Sequence, residues 1–192
     1  MNEIPAFNEV SIPDPAAVAE LKAMLRGRLL QPGDEDYDAT RVVWNAMIDR
    51  RPAFIAQCQG TADVIAAVNF ARTQRLMVAV RGGGHNVAGY AVCDGGVMID
   101  LSTMRGVRVD PEARRAWVQG GATWSDVDAE TTALGLATPG GLISMTGVAG
   151  LTLSGGIGWL RGSHGLCIDN LESADRVQAV DDPLSNERRI FD

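Results

Sequence analysis

Apolar positions Val18, Leu21, Met24 and Leu25 recur at helical spacing, and Asp14 stands as an N-cap before Pro15, so an amphipathic helix is predicted from Pro15 to Leu29. Gly27 would lie near the end of that surface helix, and Pro32-Gly33 stops it. A shorter helix is expected from Tyr37 to Met47, where Val42, Val43, Ala46 and Met47 share overlapping faces. Next come a strand at Ala53–Gln57 and a helix from Ala62 to about Thr73, capped by Thr61. Val64, Ile65, Val68 and Ala71 form its packing face, with Asp63 at its positive end. Strands at Met77–Val80 and Gly96–Asp100 follow, and such short joins fit a right-handed crossover in a small parallel sheet.

Beyond residue 102 the texture changes. Gly106–Asp110 and Arg115–Gln119 alternate on either side of a four-residue turn, which signals a hairpin. A capped helix from Thr123 to Leu134 would offer Trp124, Val127 and Ala133 to a core, and a last strand is expected around Arg176 to Val180. The division is an N-terminal arm and helix over 1–38, a first subdomain over 39–102, a second α+β subdomain over 103–182 and a polar tail over 183–192.

Composition narrows the function classes. A chain of 192 residues that is 46% hydrophobic can bury a sizeable interior. Its formal charge of -7 disfavours nucleic acid and anionic membrane as partners. Cys58, Cys93 and Cys167 are odd in number and sit among apolar neighbours, as reduced thiols do; this points to a cytoplasmic protein. No apolar run approaches the roughly 18 residues of a membrane span, and Met1–Pro5 lacks a basic region leading to an apolar one. The two histidines and the cysteines make no metal-ligand spacing.

The chemistry concentrates in glycine. The strand at Met77–Val80 runs into Arg81-Gly82-Gly83-Gly84-His85-Asn86, and successive N–H groups of Gly82, Gly83 and Gly84 suit the pyrophosphate of a dinucleotide. Asn86 and Gly89 would shape the same loop, with Ser102 and Thr103 adding hydroxyls. A Rossmann fingerprint is the rival, but it needs a helix opening directly on the glycines, and Asn86–Gly89 reads as continuing loop. Of the 22 glycines, 12 fall between Gly120 and Gly165, so a second stretch of backbone is brought close to something. Pro139, Gly140 and Gly141 turn the chain toward it, and Thr146, Gly147, Gly150, Gly155 and Gly156 form it. Trp124 and Trp159 read as core, Cys93 as a structural turn thiol, Cys167 as core, and His164 as a structural or solvent-facing group. His85 is open to three roles: an ordinary hydrogen-bonded histidine, a phosphate-orienting group, or a nucleophile through an imidazole lone pair.

Several phrases in order carry a resemblance: Val42 to Asp49, Gly60 to Val64, Arg81 to Asn86, Thr138 to Gly141, and Gly165 to Asn170. From about Ala39 to Val180 the chain resembles the N-terminal part of the berberine-bridge-enzyme-like FAD-linked oxidoreductases, within the vanillyl-alcohol-oxidase-type flavin fold. The resemblance implies an α+β fold, a PCMH-type FAD-binding domain made of a small βαβ subdomain and a second α+β subdomain, ending before the substrate domain, with FAD lying between the two. It implies an 8α-N-histidyl link at His85. Ile143 stands where many relatives hold the flavin a second time through cysteine, so single covalent attachment is the implied case. The implied reaction is oxidation of an alcohol, sugar or amine by hydride transfer to flavin N5, with oxygen as acceptor.

In relatives the base and substrate-facing aromatics come from sequence beyond the equivalent of Asp192, so no residue here is assigned as catalytic. The isolated chain is expected to bind FAD but to lack efficient turnover, meeting a small-molecule substrate only when that further region is supplied. Self-association or a complementing C-terminal chain is the remaining partner expectation. The alternative is a vestigial or interaction module that keeps the fold without flavin.

Overall fold

The computed structural model describes residues 13–178, so the expected arm up to residue 12 and the tail from 183 lie outside it. Helix α1 spans Pro15–Met24, with the Asp14 carboxylate accepting the Ala16 N–H at 2.9 Å. It stops short of the expected Leu29 because Leu25 turns to extended backbone and the chain becomes a strand, β1 at Arg28–Leu30. Gly27 permits this. A Cβ there would sit 1.7 Å from the Gln57 carbonyl oxygen, so Gly27 is a point of strand contact and not a surface-helix residue.

β1 pairs antiparallel with β2 (Phe54–Gln57), and the sheet continues in the order β1-β2-β4-β3, with β3 at Val78–Arg81 and β4 at Val97–Asp100. Both β2 and β3 run parallel to β4, which slots between them and is buried along its whole length. Side chains divide by the strand period of two. Phe54, Ala56, Val97 and Ile99 meet Leu21 and Leu25 of the α1 region and Ala67 and Phe70 of α3 (Thr61–Thr73). Ile55 and Met98 face the opposite cluster with Leu30, Tyr37, Val43 and Val92.

Alanines at 66, 67 and 71 let α3 lie close to the sheet, and Phe70 meets Phe54 edge-on at 5.5 Å. Ile65, expected inward, is left exposed. Gly60, not Thr61, is the N-cap of α3. Asp63 does more than favour the helix dipole: it is buried and accepts the N–H groups of Arg26, Gly27 and Gln59 at 3.0, 3.2 and 2.8 Å. It thereby clamps the turn into β1 against the end of β2.

The helix expected from Tyr37 to Met47 is only α2, Tyr37–Thr40. Tertiary bonds draw the following residues away: the Trp44 N–H donates to Gly84 at 3.1 Å, and the Asn45 side chain accepts the Met47 N–H at 3.2 Å. The second half opens with the expected hairpin, β5 (Val107–Asp110) and β6 (Arg115–Val118), paired from Val107↔Val118 to Asp110↔Arg115. Helix α4 (Trp124–Thr132) begins in a capping box between Thr123 and Asp126. Trp124, Val127 and Cys167 form its core with Val107, Val118, Val148 and Leu151.

Ala133 is exposed and Thr131 takes the inward position, its hydroxyl bonded to the Val127 carbonyl at 2.9 Å. Trp159, expected in the core, is 84% exposed, because its neighbour Gly158 is pinned against the Gly140 backbone and the ring falls outside. The glycine belt carries two short helices, α5 (Val148–Leu153) and α6 (Arg161–His164), and a 3-10 turn at Ile168–Asn170. Residues 171–178 form no strand, and the rest of the one expected at Arg176–Val180 lies outside the described residues. Among the described residues no helix is long and apolar enough to cross a membrane.

Candidate functional site

The site starts where β3 and β4 end side by side. Arg81 and Asp100 are register partners, and the guanidinium meets the wholly buried carboxylate twice, Nε to Oδ1 at 2.9 Å and Nη2 to Oδ2 at 2.6 Å. Arg81 Nη1 donates to the carbonyls of Thr40 and, at 3.1 Å, Val42. Burial pushes the Asp100 carboxyl up, but Arg81 and Ser102 outweigh it and hold the group below the ordinary carboxylate range. Arg81 was expected among the cofactor contacts. It does line the cleft, yet its donors point into the protein, and its work is to fasten the Thr40–Val42 segment to the strand ends.

An open cleft of about 230 Å³ lies beside this pair, lined by Val42, Val43, Trp44, Arg81, Gly82, Gly83, Gly84, Ser102, Arg105, Gly121 and Thr123. Among the described residues the N–H groups of Gly82, Gly83 and Gly84 donate to no protein acceptor. Consecutive unpaired N–H donors beside a cleft are what an anion-binding nest requires. Close packing also requires the glycines. A Cβ on Gly82 would stand 2.8 Å from the Gly120 oxygen, and one on Gly83 2.3 Å from the Gly147 nitrogen. Gly84 adopts φ +71°, a left-handed conformation suited to glycine.

Ser102 lines the cleft, its N–H donating to Asp100 at 3.0 Å. The Thr103 hydroxyl donates instead to the Cys58 carbonyl. Asn86 closes a turn, its side chain accepting the Tyr90 N–H at 3.0 Å and its carbonyl the Gly89 N–H at 3.1 Å. Gly89 is pressed against Ile48 with φ +78°. His85, half-buried, stacks on Trp44 with ring centroids 5.4 Å apart and planes 21° from parallel.

The two glycine-rich stretches touch where Gly120 backs onto Gly82 and where Gly83 meets Gly147. Thr146, just before it, accepts the Trp124 N–H at 3.1 Å. The other belt positions lie away from the cleft lining. Gly140 and Gly141 admit the buried Trp124 ring beneath a buried Pro139, and Gly156 admits Cys167. Gly155 takes φ +101°, and Gly150 sits on α5 with open space where a Cβ would be. His164 is exposed, and its carbonyl accepts from Asn170. All three thiols are buried. Burial pushes Cys58 up to about 12 and raises Cys93 and Cys167 as well.

Three contributions to the cleft went unread in the sequence. Val42 to Trp44 reach it because Arg81 and Gly84 hold them there, a long-range consequence that no local pattern shows. Gly121 enters because a Cβ on it would lie 1.6 Å from the Leu101 oxygen. Arg105 brings a half-exposed cation to the cleft, held by Asp126 through Nε and Nη2 at 2.9 and 2.6 Å. The Gly120-Gly121-Ala122-Thr123 run ahead of a helix was the available signal.

A mixed sheet with a βαβ unit thus ends in a glycine loop beside a cleft, completed by Arg105, Gly121 and Thr123, an arrangement that suits a diphosphate-bearing cofactor. Comparison with known proteins specifies which. Residues 52–181 match the FAD binding domain family. The sequence is 37% identical over 160 residues to (R)-6-hydroxynicotine oxidase of Paenarthrobacter nicotinovorans, covering 83% of this chain and 35% of that protein. The crystal structure of 6-hydroxy-D-nicotine oxidase from Arthrobacter nicotinovorans superposes with a TM-score of 0.78 at 37% identity, over 80% of this chain and 34% of that one. Physcomitrella patens BBE-like 1 superposes with a TM-score of 0.78 at 26% identity, over 83% and 35% of the two chains. This chain belongs to the FAD-linked oxidoreductases of the berberine-bridge-enzyme-like group, with the α+β PCMH-type FAD-binding fold. It spans about a third of the length of the relatives it matches.

Proposed function

We propose that this chain holds FAD for an oxidase acting on an alcohol, sugar or amine, and that the flavin is attached once, through His85. The observation that carries the reading is the triad of free N–H groups at Gly82, Gly83 and Gly84, ending in an imidazole that faces no protein hydrogen-bond partner among the described residues. The three N–H groups hold the diphosphate, and Arg105 adds a positive charge on the same wall. The Arg81–Asp100 pair keeps the loop and the Val42–Trp44 wall in register. Bound FAD supplies the chemistry, accepting a hydride at N5 and passing the electrons to dioxygen.

Attachment at a cysteine is disfavoured because Cys93 and Cys167 are buried with raised pKa values, which suppresses the thiolate, and Ile143 is an exposed aliphatic side chain. The test is mass spectrometry of the denatured protein purified with FAD. One FAD adduct is expected on the peptide containing His85 and none in His85→Ala; an adduct on Cys93 or Cys167, or none at all, overturns the covalent assignment. Substrate class is tested by anaerobic flavin reduction across sugars, secondary alcohols and benzylic amines.

A further inference from the structure

We infer that Trp44 is the positioning residue for covalent flavin attachment: its indole holds the His85 imidazole in the orientation from which the ring nitrogen attacks. The inference rests on the reading of His85 as the attachment site. Among the described residues the His85 side chain makes no hydrogen bond, and its one ring contact is the stack on Trp44, at 5.4 Å between centroids and 21° between planes. A nucleophilic imidazole is ordinarily oriented by a hydrogen bond to its second nitrogen. Here that constraint is replaced by a flat apolar surface, which fixes the plane of the ring and leaves both nitrogens unblocked.

Trp44 is itself tied down on the histidine's own loop. Its N–H donates to the Gly84 carbonyl at 3.1 Å, one residue before His85, and the neighbouring Asn45 side-chain amide donates to the Val87 carbonyl at 3.0 Å, two residues after it. Arg81 grips Val42 from the other direction. The Trp44 backbone is therefore fastened to the loop. Trp44 also lines the cleft and is 63% exposed, a costly setting for a large ring unless its free surface has a use.

The step being positioned balances as follows. A bond forms between an imidazole nitrogen of His85 and the 8α carbon of the flavin. One C–H bond of the methyl group and the imidazole N–H bond break, and both protons are released. Two electrons remain in the flavin ring and pass to dioxygen, which with the two protons becomes hydrogen peroxide. Nothing in this sequence needs Trp44 to react. Without the stack, the His85 side chain would sample about three χ1 wells, so the attacking pose would be populated about threefold less.

The experiment follows FAD adduct formation in the full chain after FAD is added to flavin-free protein in air, by in-gel flavin fluorescence after denaturation, as a function of FAD concentration. Trp44→Ala should lower the maximal attachment rate about threefold at saturating FAD, and Trp44→Phe, which keeps a flat ring, should recover most of it. Circular dichroism and urea midpoints establish that each variant is folded; if Trp44→Ala is not, Trp44→Leu serves as the non-aromatic variant. A deficit that disappears at saturating FAD would make Trp44 a binding wall and overturn the inference, as would Trp44→Leu matching Trp44→Phe. A wild-type chain that binds FAD but forms no His85 adduct would instead overturn the attachment reading itself.

Discussion

Replacing Asp100 by asparagine should destabilise this protein by about 3 kcal/mol, although the side chain hardly changes in size. The carboxylate is fully buried, and the Arg81 side chain facing it is 13% exposed. An asparagine could keep its oxygen toward Arg81 Nε and the Ser102 N–H, but its amide would then face Arg81 Nη2 where Oδ2 now accepts at 2.6 Å. Two donors would meet, and a nearly buried cation would lose its counter-charge. Breaking such pairs costs about 3–5 kcal/mol, and the residual exposure of Arg81 places this one at the lower end. For a chain of this length that corresponds to a fall of about 6–12 °C in melting temperature. Adding Arg81→Met should recover at least about 1 kcal/mol, since no unpaired charge remains. Urea unfolding followed by circular dichroism at pH 7 measures both. An Asp100→Asn variant within about 0.5 kcal/mol of wild type would refute the argument. The same pair predicts acid sensitivity: the folded-state pKa of Asp100 lies below its unfolded value. Its contribution is therefore complete above about pH 4 and is lost as pH falls through the folded value.

Gly83→Ala should lower both stability and FAD retention, because the added Cβ meets the Gly147 backbone, whereas Gly150→Ala should be neutral or stabilise α5 by up to about 1 kcal/mol; equal urea midpoints for the two would remove the close-approach argument. Gly27→Ala should cost about 2 kcal/mol or more by forcing β1 from Gln57, so it is no neutral control for the cofactor loop; a wild-type urea midpoint would show that β1 is not seated as described. A thiol reagent should label none of Cys58, Cys93 and Cys167 in native protein at pH 7.5 and all three in urea; rapid native labelling of any one would contradict its burial and raised pKa.

Long periodic segments were the most legible part of the sequence. The α3 helix, the hairpin and the three parallel strands all stood within a residue or two of their expected ends, α3 because it buries one face at helical spacing and the strands because short runs of β-formers end at turn residues. β1 was invisible: Arg-Leu-Leu is too short to alternate, and what makes it a strand is the bare backbone of Gly27 against β2. Trp44 and Val42 were legible only as a helix, since the bonds that pull them to the cleft come from Arg81 and Gly84, some forty residues later. Glycine density announced close approach correctly. It did not say to what, and much of the second belt approaches Trp124, Gly140 and Cys167 instead of the cleft.

The backbone contact between Gly83 and Gly147 also sets the order of assembly. The two residues are far apart in the chain, and neither can carry a side chain without striking the other. During synthesis the Gly82–Gly84 loop remains unbacked until the segment around Gly147 has emerged and docked. Such a late, non-local closure slows folding. It also means that the final shape of the loop reports on the joining of the two halves of the chain.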